Sequence, residues 1–359
     1  YWCFGHGAWL CLALMLAAGI IAHHQKLSAL LAAGILLLPA TQYPATTWWS
    51  KPDLDREYVL SLDVEHYFGN IQKMRKHLET DRQILWVSYY RNLYNATHPS
   101  EINSPVSLSR NLLAWNQPGT NGLILPVNPS ASFLSILFAN ELWFTLGDMT
   151  MAEHCAMLSM IFSPRNSGSR MIKRLAEINL VNGDDEAALK YLRILDKTLL
   201  HKSWAEKRIP GQQTPRVKEW LEKKRRDIPT QDHLRSGNDA VTSLRNLVAS
   251  NAGNLRAYEY LLCYHLLSKD LRSFVEDYVP GKVSSSIFAE ALLIHLARQG
   301  NIRAEELIKY QIPVKIAKEF ADYTRLYEAK DTSLKEKYGK TYWFYYHFAT
   351  TEPGKESKP

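Results

Sequence analysis

Charged residues at helical spacing are the clearest candidates for chemistry in this chain. Arg170, Lys173 and Glu177 follow one another at intervals of three and four, and Arg256 and Glu259 repeat an interval of three further along. Residues three and four positions apart share one face of a helix. A row of basic side chains can hold a carboxylate or an acidic peptide. We therefore identify these five residues as a candidate partner-binding groove; the alternative is that they are ordinary solvated positions.

A second candidate is a basic patch. The segment Lys197–Arg235 contains 11 basic and 5 acidic residues, and its densest part is Lys223, Lys224, Arg225 and Arg226. Two interpretations remain open, a solvated helix face and a contact with anionic lipid headgroups. Nucleic acid is a disfavoured partner, because no recognised nucleic-acid-binding motif accompanies the patch.

The sequence offers no recognisable catalytic constellation. It lacks the zinc-protease helix motif, the P-loop, the dinucleotide fingerprint and the nucleophile elbow. His154 and Cys155 have no identifiable third partner, and Asp63 and Glu65 diverge because positions two apart lie on different faces of a helix. We predict no catalytic residue, no metal site and no cofactor, and whether the chain belongs to an enzyme stays open.

The first fifty residues have the composition of a membrane region. Tyr1–Ala22 contains no Asp, Glu, Lys or Arg, and a helix of that length spans roughly the 30 Å hydrocarbon core of a bilayer. A second apolar stretch, Leu27–Leu38, leads to Trp48 and Trp49, a pair that suits the headgroup level. We predict a transmembrane helical hairpin over residues 1–50; the alternative is one span followed by an interfacial segment.

The remainder of the chain has the composition of a water-soluble domain. All 36 acidic residues and all but one of the 43 Lys and Arg residues follow residue 50, which gives this part a mild net charge of +6. Its two cysteines, Cys155 and Cys263, imply no disulfide framework. The basic residues on either side of the apolar stretches balance, so the sequence assigns no membrane side. We expect the polar end, residues 351–359, to be disordered.

A period of 36 residues organises this second part. Gly147 and Gly183 are 36 residues apart, each is followed by Asp, and Ala152 and Ala188 lie five residues after them. This pattern predicts two helical hairpins that turn at glycine, because small residues allow antiparallel helices to approach closely. We expect Gly183 to serve both the turn and the close crossing. The predicted helices are Phe133–Leu146, Met149–Phe162, Met171–Val181 and Asp185–Leu199.

These spacings resemble the tetratricopeptide repeat. One unit contributes Gly147, Ala152, Ala156 and Pro164, and the other contributes Leu175, Ala176, Gly183 and Ala188. Weaker units surround Gly69 and Gly300. The resemblance implies an all-α fold, in which the transmembrane helical hairpin is followed by a tetratricopeptide-like α-solenoid over residues 51–350.

The aromatic run Tyr342–Phe348 is the other unusual segment. Its seven consecutive aromatic or histidine residues cannot all lie on one buried face of a helix. We expect the run to cap the last exposed apolar surface of the solenoid; contact with the bilayer or with a partner is the alternative.

The whole chain also resembles an uncharacterised family of Bacteroidetes-type multi-span membrane proteins with a helical C-terminal region. The segments that carry this resemblance are Arg174–Leu199, Ile228–Leu234 and Lys337–Phe348. The resemblance implies that the chain is the C-terminal part of a longer integral protein of the bacterial inner membrane. It implies no activity and no functional residues.

Two functional hypotheses follow from these observations. The first is a membrane-anchored helical-repeat scaffold that binds a protein or peptide partner and performs no catalysis of its own. The second is an accessory domain of a multi-span membrane enzyme or transporter that acts on cell-envelope glycans or lipids, with its active part upstream of Tyr1. The sequence favours the first because no catalytic constellation is found.

Overall fold

The computed structural model describes residues 53–79, 84–98, 108–114, 119–127, 133–162, 168–231 and 239–349. The predicted membrane region, residues 1–50, and the predicted disordered tail, residues 351–359, lie outside the described residues. Within the described ranges no helix combines the length and the apolar character needed to cross a bilayer.

Every regular element in these ranges is a helix, as the sequence predicts. Eighteen α-helices and the short 3-10 helix Gly119–Gly122 are present. The α-helices are α1 (Leu54–Tyr67), α2 (Ile71–Leu78), α3 (Leu85–Thr97), α4 (Leu108–Asn111), α5 (Phe133–Leu146), α6 (Met149–Phe162), α7 (Ser169–Asn182), α8 (Asp185–Asp196), α9 (Lys202–Glu206), α10 (Pro215–Arg225), α11 (Ala240–Ser250), α12 (Leu255–Leu267), α13 (Leu271–Asp277), α14 (Ser286–Arg298), α15 (Ala304–Lys309), α16 (Val314–Glu328), α17 (Leu334–Tyr338) and α18 (Tyr342–Phe348).

The chain divides into two compact units, residues 1–61 and 62–359. The first unit is described only over residues 53–61, which form the start of α1. There the Asp53 side chain accepts a hydrogen bond from the backbone N–H of Arg56 at 3.0 Å. A carboxylate in this position satisfies one of the free N–H groups of the first helical turn. All features described below belong to the second unit.

Two helical hairpins turn at the glycines that the sequence identifies. Helices α5 and α6 have the predicted bounds, and α7 extends only slightly beyond its predicted range. Gly147 has φ of +93° and Gly183 has φ of +84°, a left-handed conformation that glycine adopts without steric cost. The following Asp148 and Asp184 side chains each accept a backbone hydrogen bond from the first turn of the next helix, at 2.8 and 3.0 Å.

The two glycines differ in what surrounds them. A Cβ atom on Gly147 would lie 2.2 Å from the carbonyl oxygen of Asp227, whereas a Cβ atom on Gly183 would meet no atom within 4 Å. Gly183 is therefore required by its backbone conformation alone, and the expected close crossing at this position is absent. The close approach occurs at Gly147, where the backbone of Asp227, in the segment after α10, contacts the turn.

Small apolar residues fill the space within and between the hairpins. Ala139, Ala152 and Ala188 are completely buried. Ala156 of α6 packs with Met171 and Leu175 of α7, so this cluster joins one hairpin to the next. A second cluster joins Ala176 and Leu192 to Ala205 of α9. Close packing of this kind is the main source of stability for helices too short to persist alone.

Helix α8 ends three residues before the predicted Leu199. The Thr198 hydroxyl donates to the carbonyl of Leu195 at 2.7 Å and accepts from the N–H of His201 at 3.2 Å. A side chain that competes in this way for backbone groups favours a turn over continued helix. As a result Leu199 and Leu200 lie on an exposed turn instead of a helix.

One asparagine ties three elements together beside Gly147. The Asn254 amide donates to the carbonyls of Leu146 and Asp227, each at 2.7 Å, and its oxygen accepts from the N–H of Ala257 at 3.0 Å. Asn254 is 1 % exposed, so these bonds form away from water. These bonds fix the positions of the end of α5, the segment after α10 and the start of α12 relative to one another.

The aromatic helix α18 closes the carbonyl end of α12. The hydroxyls of Tyr342 and Tyr345 donate to the carbonyls of Leu266 and Leu267, at 2.9 and 2.8 Å. These two carbonyls lie in the last turn of α12, and that of Leu266 also accepts from the backbone N–H of Lys269 at 3.0 Å. Tyr342, Trp343 and Tyr345 are buried, so part of the aromatic run packs against the helical domain; the expected capping of a solenoid end stays a prediction.

Candidate anion-binding cavity

A cavity of 240 Å³ lies between α1, α5, α7 and α10. Its wall combines aromatic rings with an unusual number of charged groups. The lining residues are His66 and Tyr67 of α1, Glu141, Phe144 and Thr145 of α5, Arg170, Lys173, Arg174 and Glu177 of α7, and Trp220 and Lys224 of α10.

Helix α7 supplies the charged face of this cavity. Arg170, Lys173, Arg174 and Glu177 occur at positions i, i+3, i+4 and i+7, which lie along one side of an α-helix. The opposite side of α7 carries buried apolar residues such as Leu175. The helix is thus oriented by its apolar side, and the charged side is turned towards α1 and α5.

Two arginines on this face are held by buried carboxylates. Arg170 donates two hydrogen bonds to Asp63, at 2.6 and 2.9 Å, and a third to Glu141 at 2.8 Å. Arg174 donates to Glu141 at 2.6 Å and lies 3.0 Å from Glu177. Loss of one partner from such a buried pair leaves an uncompensated charge and costs about 3–5 kcal/mol.

The protonation states of this network are fixed by its ion pairs and by burial. Burial acts to raise the pKa of Glu141, but Arg174 and Arg170 outweigh it, and the pKa lies well below the ordinary value. The Tyr90 hydroxyl donates to Asp63 at 2.5 Å, and burial together with the charge of Asp63 raises the pKa of Tyr90 well above its ordinary value. Glu141 therefore stays ionised and Tyr90 stays protonated near neutral pH, an arrangement suited to charge recognition more than to proton transfer.

Two ammonium groups face the cavity with no carboxylate within 4 Å among the described residues. Lys173 contacts the Tyr67 hydroxyl at 3.2 Å and lies 4.6 Å from the centre of that ring. Lys224 lies 3.4 Å from the carbonyl oxygen of Phe144 and 4.5 Å from the centre of its ring. Contacts with aromatic rings compensate only part of the cost of removing a cation from water.

The environment of Lys224 is strongly unfavourable for its charge. Burial, followed by repulsion from Arg174 and Arg256, lowers the pKa of Lys224 to about 8. The Nε atoms of Arg170 and Arg174 are also buried and have no hydrogen-bond acceptor. The charges of Asp227 and Glu177 act to raise the pKa of Lys224 but do not offset its burial. A cation that is only partly compensated beside a cavity favours the binding of an anion.

The five residues of the predicted groove do not share one surface. Arg170, Lys173 and Glu177 line the cavity, but Arg256 and Glu259 do not. Arg256 donates to the carbonyls of Ala96 and Thr145, each at 3.2 Å, and lies 3.3 Å from a carboxylate oxygen of Asp227. Glu259 is 1 % exposed and accepts from the N–H and hydroxyl of Ser109, at 2.8 and 2.6 Å.

The predicted basic patch likewise divides in two. Lys224 faces the cavity, and the Arg225 guanidinium donates to the carbonyls of Val181 and Leu180, at 3.0 and 2.8 Å, at the carboxyl end of α7. A cation in this position favours the negative end of the helix dipole. Lys223, Arg225 and Arg226 are exposed, and Lys224 is half-buried. The four residues therefore do not form one uniform surface for lipid.

Two carboxylates organise the site: Glu141, which sequence reasoning did not single out, and Asp63, which it considered only for catalysis and set aside. Glu141 is the only charged residue in the otherwise apolar or small-polar helix α5, and it is 6 % exposed. A buried carboxylate in such a segment requires a cationic partner, so the sequence could have predicted an ion pair at Glu141. Asp63 carried no comparable signal, because its partner Arg170 lies 107 residues away in sequence.

Comparison with known proteins gives one result. No curated protein and no solved structure matches the chain significantly. The sequence profile of a family of unknown function, DUF6057, matches residues 7–349, which is nearly the whole chain. The expected resemblance to an uncharacterised family is confirmed at this level. The chain belongs to the family of unknown function DUF6057.

Proposed function

We propose that this protein is a helical scaffold that recognises an acidic group of a protein or peptide partner in the cavity between α1, α5, α7 and α10. The observation that carries the proposal is the pair Lys173 and Lys224, two ammonium groups that face the cavity and lack a carboxylate partner among the described residues. An incoming carboxylate would supply the missing counter-charge to both.

The size of the cavity favours one acidic side chain or chain terminus over a larger ligand. Sites for drug-sized molecules have volumes of roughly 300–1,000 Å³, and this cavity has 240 Å³. Tyr67, Phe144 and Trp220 would contact the apolar stem of the bound group.

The scaffold itself is proposed to be a tetratricopeptide-like α-solenoid. The glycine turns at Gly147 and Gly183, the buried alanines and the antiparallel hairpins α5–α6 and α7–α8 support this assignment. Solenoids of this kind present extended surfaces to peptides and proteins, and they commonly act without chemistry of their own. The cavity would then anchor one residue of a longer bound segment.

Membrane attachment is proposed from the sequence. The uncharged stretch Tyr1–Ala22 and the apolar Leu27–Leu38 support an integral protein with residues 1–50 in the bilayer. We propose the bacterial inner membrane as its location, in agreement with the resemblance to multi-span Bacteroidetes-type proteins, and no membrane side is assigned to the helical domain.

Peptide binding to the full chain, purified in mild detergent, tests the proposal. An end-blocked oligoglutamate peptide is titrated by calorimetry, with the oligoglutamine peptide of equal length as the neutral probe. We expect binding of oligoglutamate alone. The double variant Lys173→Gln/Lys224→Gln should weaken it roughly a hundredfold, because each charged hydrogen bond contributes about 1.5–3 kcal/mol.

The control variant removes the same charge outside the cavity. Lys223→Gln/Arg226→Gln changes two exposed basic residues next to Lys224, and its affinity should equal that of the wild type. Equal binding by the cavity variant and the wild type would overturn the proposal. Co-purification from cells of a glycan or lipid, with no protein partner, would instead favour the accessory domain of a membrane enzyme or transporter.

A further inference from the structure

The most exposed apolar residues of the described chain lie side by side on one turn. Leu199 is 97 % exposed and Leu200 is 86 % exposed, in the turn between α8 and α9. Single exposed leucines are common on protein surfaces. Two adjacent leucines that are almost fully exposed at the tip of a turn are a costly arrangement in water, and they call for an apolar environment.

The turn is held in a defined conformation. Besides the two hydrogen bonds of the Thr198 hydroxyl, the N–H of Thr198 donates to the carbonyl of Leu195 at 2.9 Å, and the N–H of Lys202 donates to the carbonyl of Thr198 at 3.2 Å. These bonds hold the residues on either side of Leu199 and Leu200. Because unsatisfied backbone groups oppose entry into the hydrocarbon core, only the two leucine side chains are expected to reach the apolar layer.

The surroundings of the tip are basic. Residues 190–208 contain six Lys or Arg residues and two acidic ones. Lys197 and Lys202 are each separated from the two leucines by one residue, and both are exposed. Lys202 is 4.0 Å from Glu206, a contact between two side chains that are more than half exposed. Leucines at a tip with lysines behind them match the layering of an anionic membrane, in which acyl chains lie beneath negatively charged headgroups.

We propose that the Leu199–Leu200 turn inserts into the headgroup region of an anionic lipid bilayer, with Lys197 and Lys202 contacting the lipid headgroups. A lipid surface fits this tip better than a protein partner. A stable protein interface buries roughly 800 Å² on each side, far more than two side chains provide, whereas membrane insertion gains from each buried methylene independently. The inference is independent of the acidic partner proposed for the cavity.

The test uses the full chain in lipid nanodiscs. A polarity-sensitive fluorophore is attached at Leu200→Cys in a chain that carries Cys3→Ser and Cys11→Ser; Cys155 and Cys263 are buried and remain. The discs contain either zwitterionic lipid alone or about 30 % phosphatidylserine, with a quencher on the acyl chains. We expect quenching and a blue shift in the anionic discs, and about tenfold weaker lipid contact after Lys197→Gln/Lys202→Gln.

Ile308→Cys provides the matched control. Ile308 is 77 % exposed and precedes Lys309, but that lysine is paired with Glu306 at 3.2 Å. A label at this site should stay in a water-like environment in both kinds of disc. An unquenched label at Leu200→Cys in anionic discs would overturn the proposal. A blue shift in anionic discs without quenching by the acyl-chain quencher would also overturn it and would identify a protein contact.

Discussion

Replacement of Gly147 by alanine should destabilise the helical domain much more than the same change at Gly183. Both glycines have positive φ, at +93° and +84°, so both variants place an alanine in the left-handed region at a cost of about 1–2 kcal/mol. The reduced freedom of the unfolded chain offsets about 0.4–1 kcal/mol of this cost. Gly183→Ala should therefore lose about 1 kcal/mol.

Gly147→Ala carries an additional steric cost. Its Cβ atom would lie 2.2 Å from the carbonyl oxygen and 2.7 Å from the carbonyl carbon of Asp227. Backbone atoms cannot rotate away as the end of a side chain can, so the segment after α10 must shift. Overpacking of this kind costs about 1–3 kcal/mol. The shift would also strain the 2.7 Å bond from Asn254 to Asp227, so we expect a total loss of about 2–4 kcal/mol.

Thermal unfolding of the two full-chain variants in the same detergent provides the measurement. In domains of this size a change of 1 kcal/mol moves the midpoint by about 2–4 °C, so the two variants should differ by several degrees. Circular dichroism follows the loss of helix directly. Equal midpoints for Gly147→Ala and Gly183→Ala would refute the close approach of Asp227 to α5 and with it the placement of Lys224 beside the cavity.

Three further predictions concern single side chains. Burial raises the pKa of Glu290 to about 7, so the folded state binds this proton more tightly than the unfolded state. The contribution of Glu290 to stability should therefore fall by about 3 kcal/mol as pH rises from 4.5 to 7. Glu290→Gln should remove that slope in pH-dependent thermal unfolding, and an unchanged slope would contradict the assignment. Asn254→Asp keeps the hydrogen bond from the N–H of Ala257 but replaces two amide donors by an acceptor. It should lower the free energy of unfolding by about 3 kcal/mol at pH 8 and by less at pH 5. Wild-type stability at pH 8 would argue against the contacts of Asn254 with Leu146 and Asp227. Because the pKa of Lys224 is about 8, the affinity for oligoglutamate should decrease between pH 7 and pH 9, and Lys224→Gln should not show this decrease. Calorimetry at both pH values provides the measurement. Equal pH profiles for the wild type and Lys224→Gln would exclude Lys224 from the site.

Local structure was largely predictable because its determinants are local. The glycine–aspartate pairs at Gly147 and Gly183 indicate both a left-handed residue and the cap of the next helix, so α5 and α6 have the predicted bounds. The end of α8 was misplaced because one hydroxyl, on Thr198, replaces helical hydrogen bonds in a stretch of otherwise helix-compatible residues.

The site was only partly predictable because its determinants are distant in sequence. Arg170, Lys173 and Glu177, which helical periodicity assigns to one face of a helix, line the cavity; their role in binding a partner stays a prediction. The same periodicity could not indicate that Glu259 binds Ser109, 150 residues away, since no local pattern encodes that contact. Pairing partners across such separations become visible only when the helices are packed.

The contacts of α18 have a consequence for biosynthesis. The hydroxyl bonds of Tyr342 and Tyr345 close the end of α12 across 76 and 78 residues of intervening chain. During translation the earlier helices leave the ribosome first, so α12 is complete before these two hydrogen bonds and the cover of α18 exist. A chain truncated before α18 would lack both, and we expect it to be cleaved by proteases faster than the full chain.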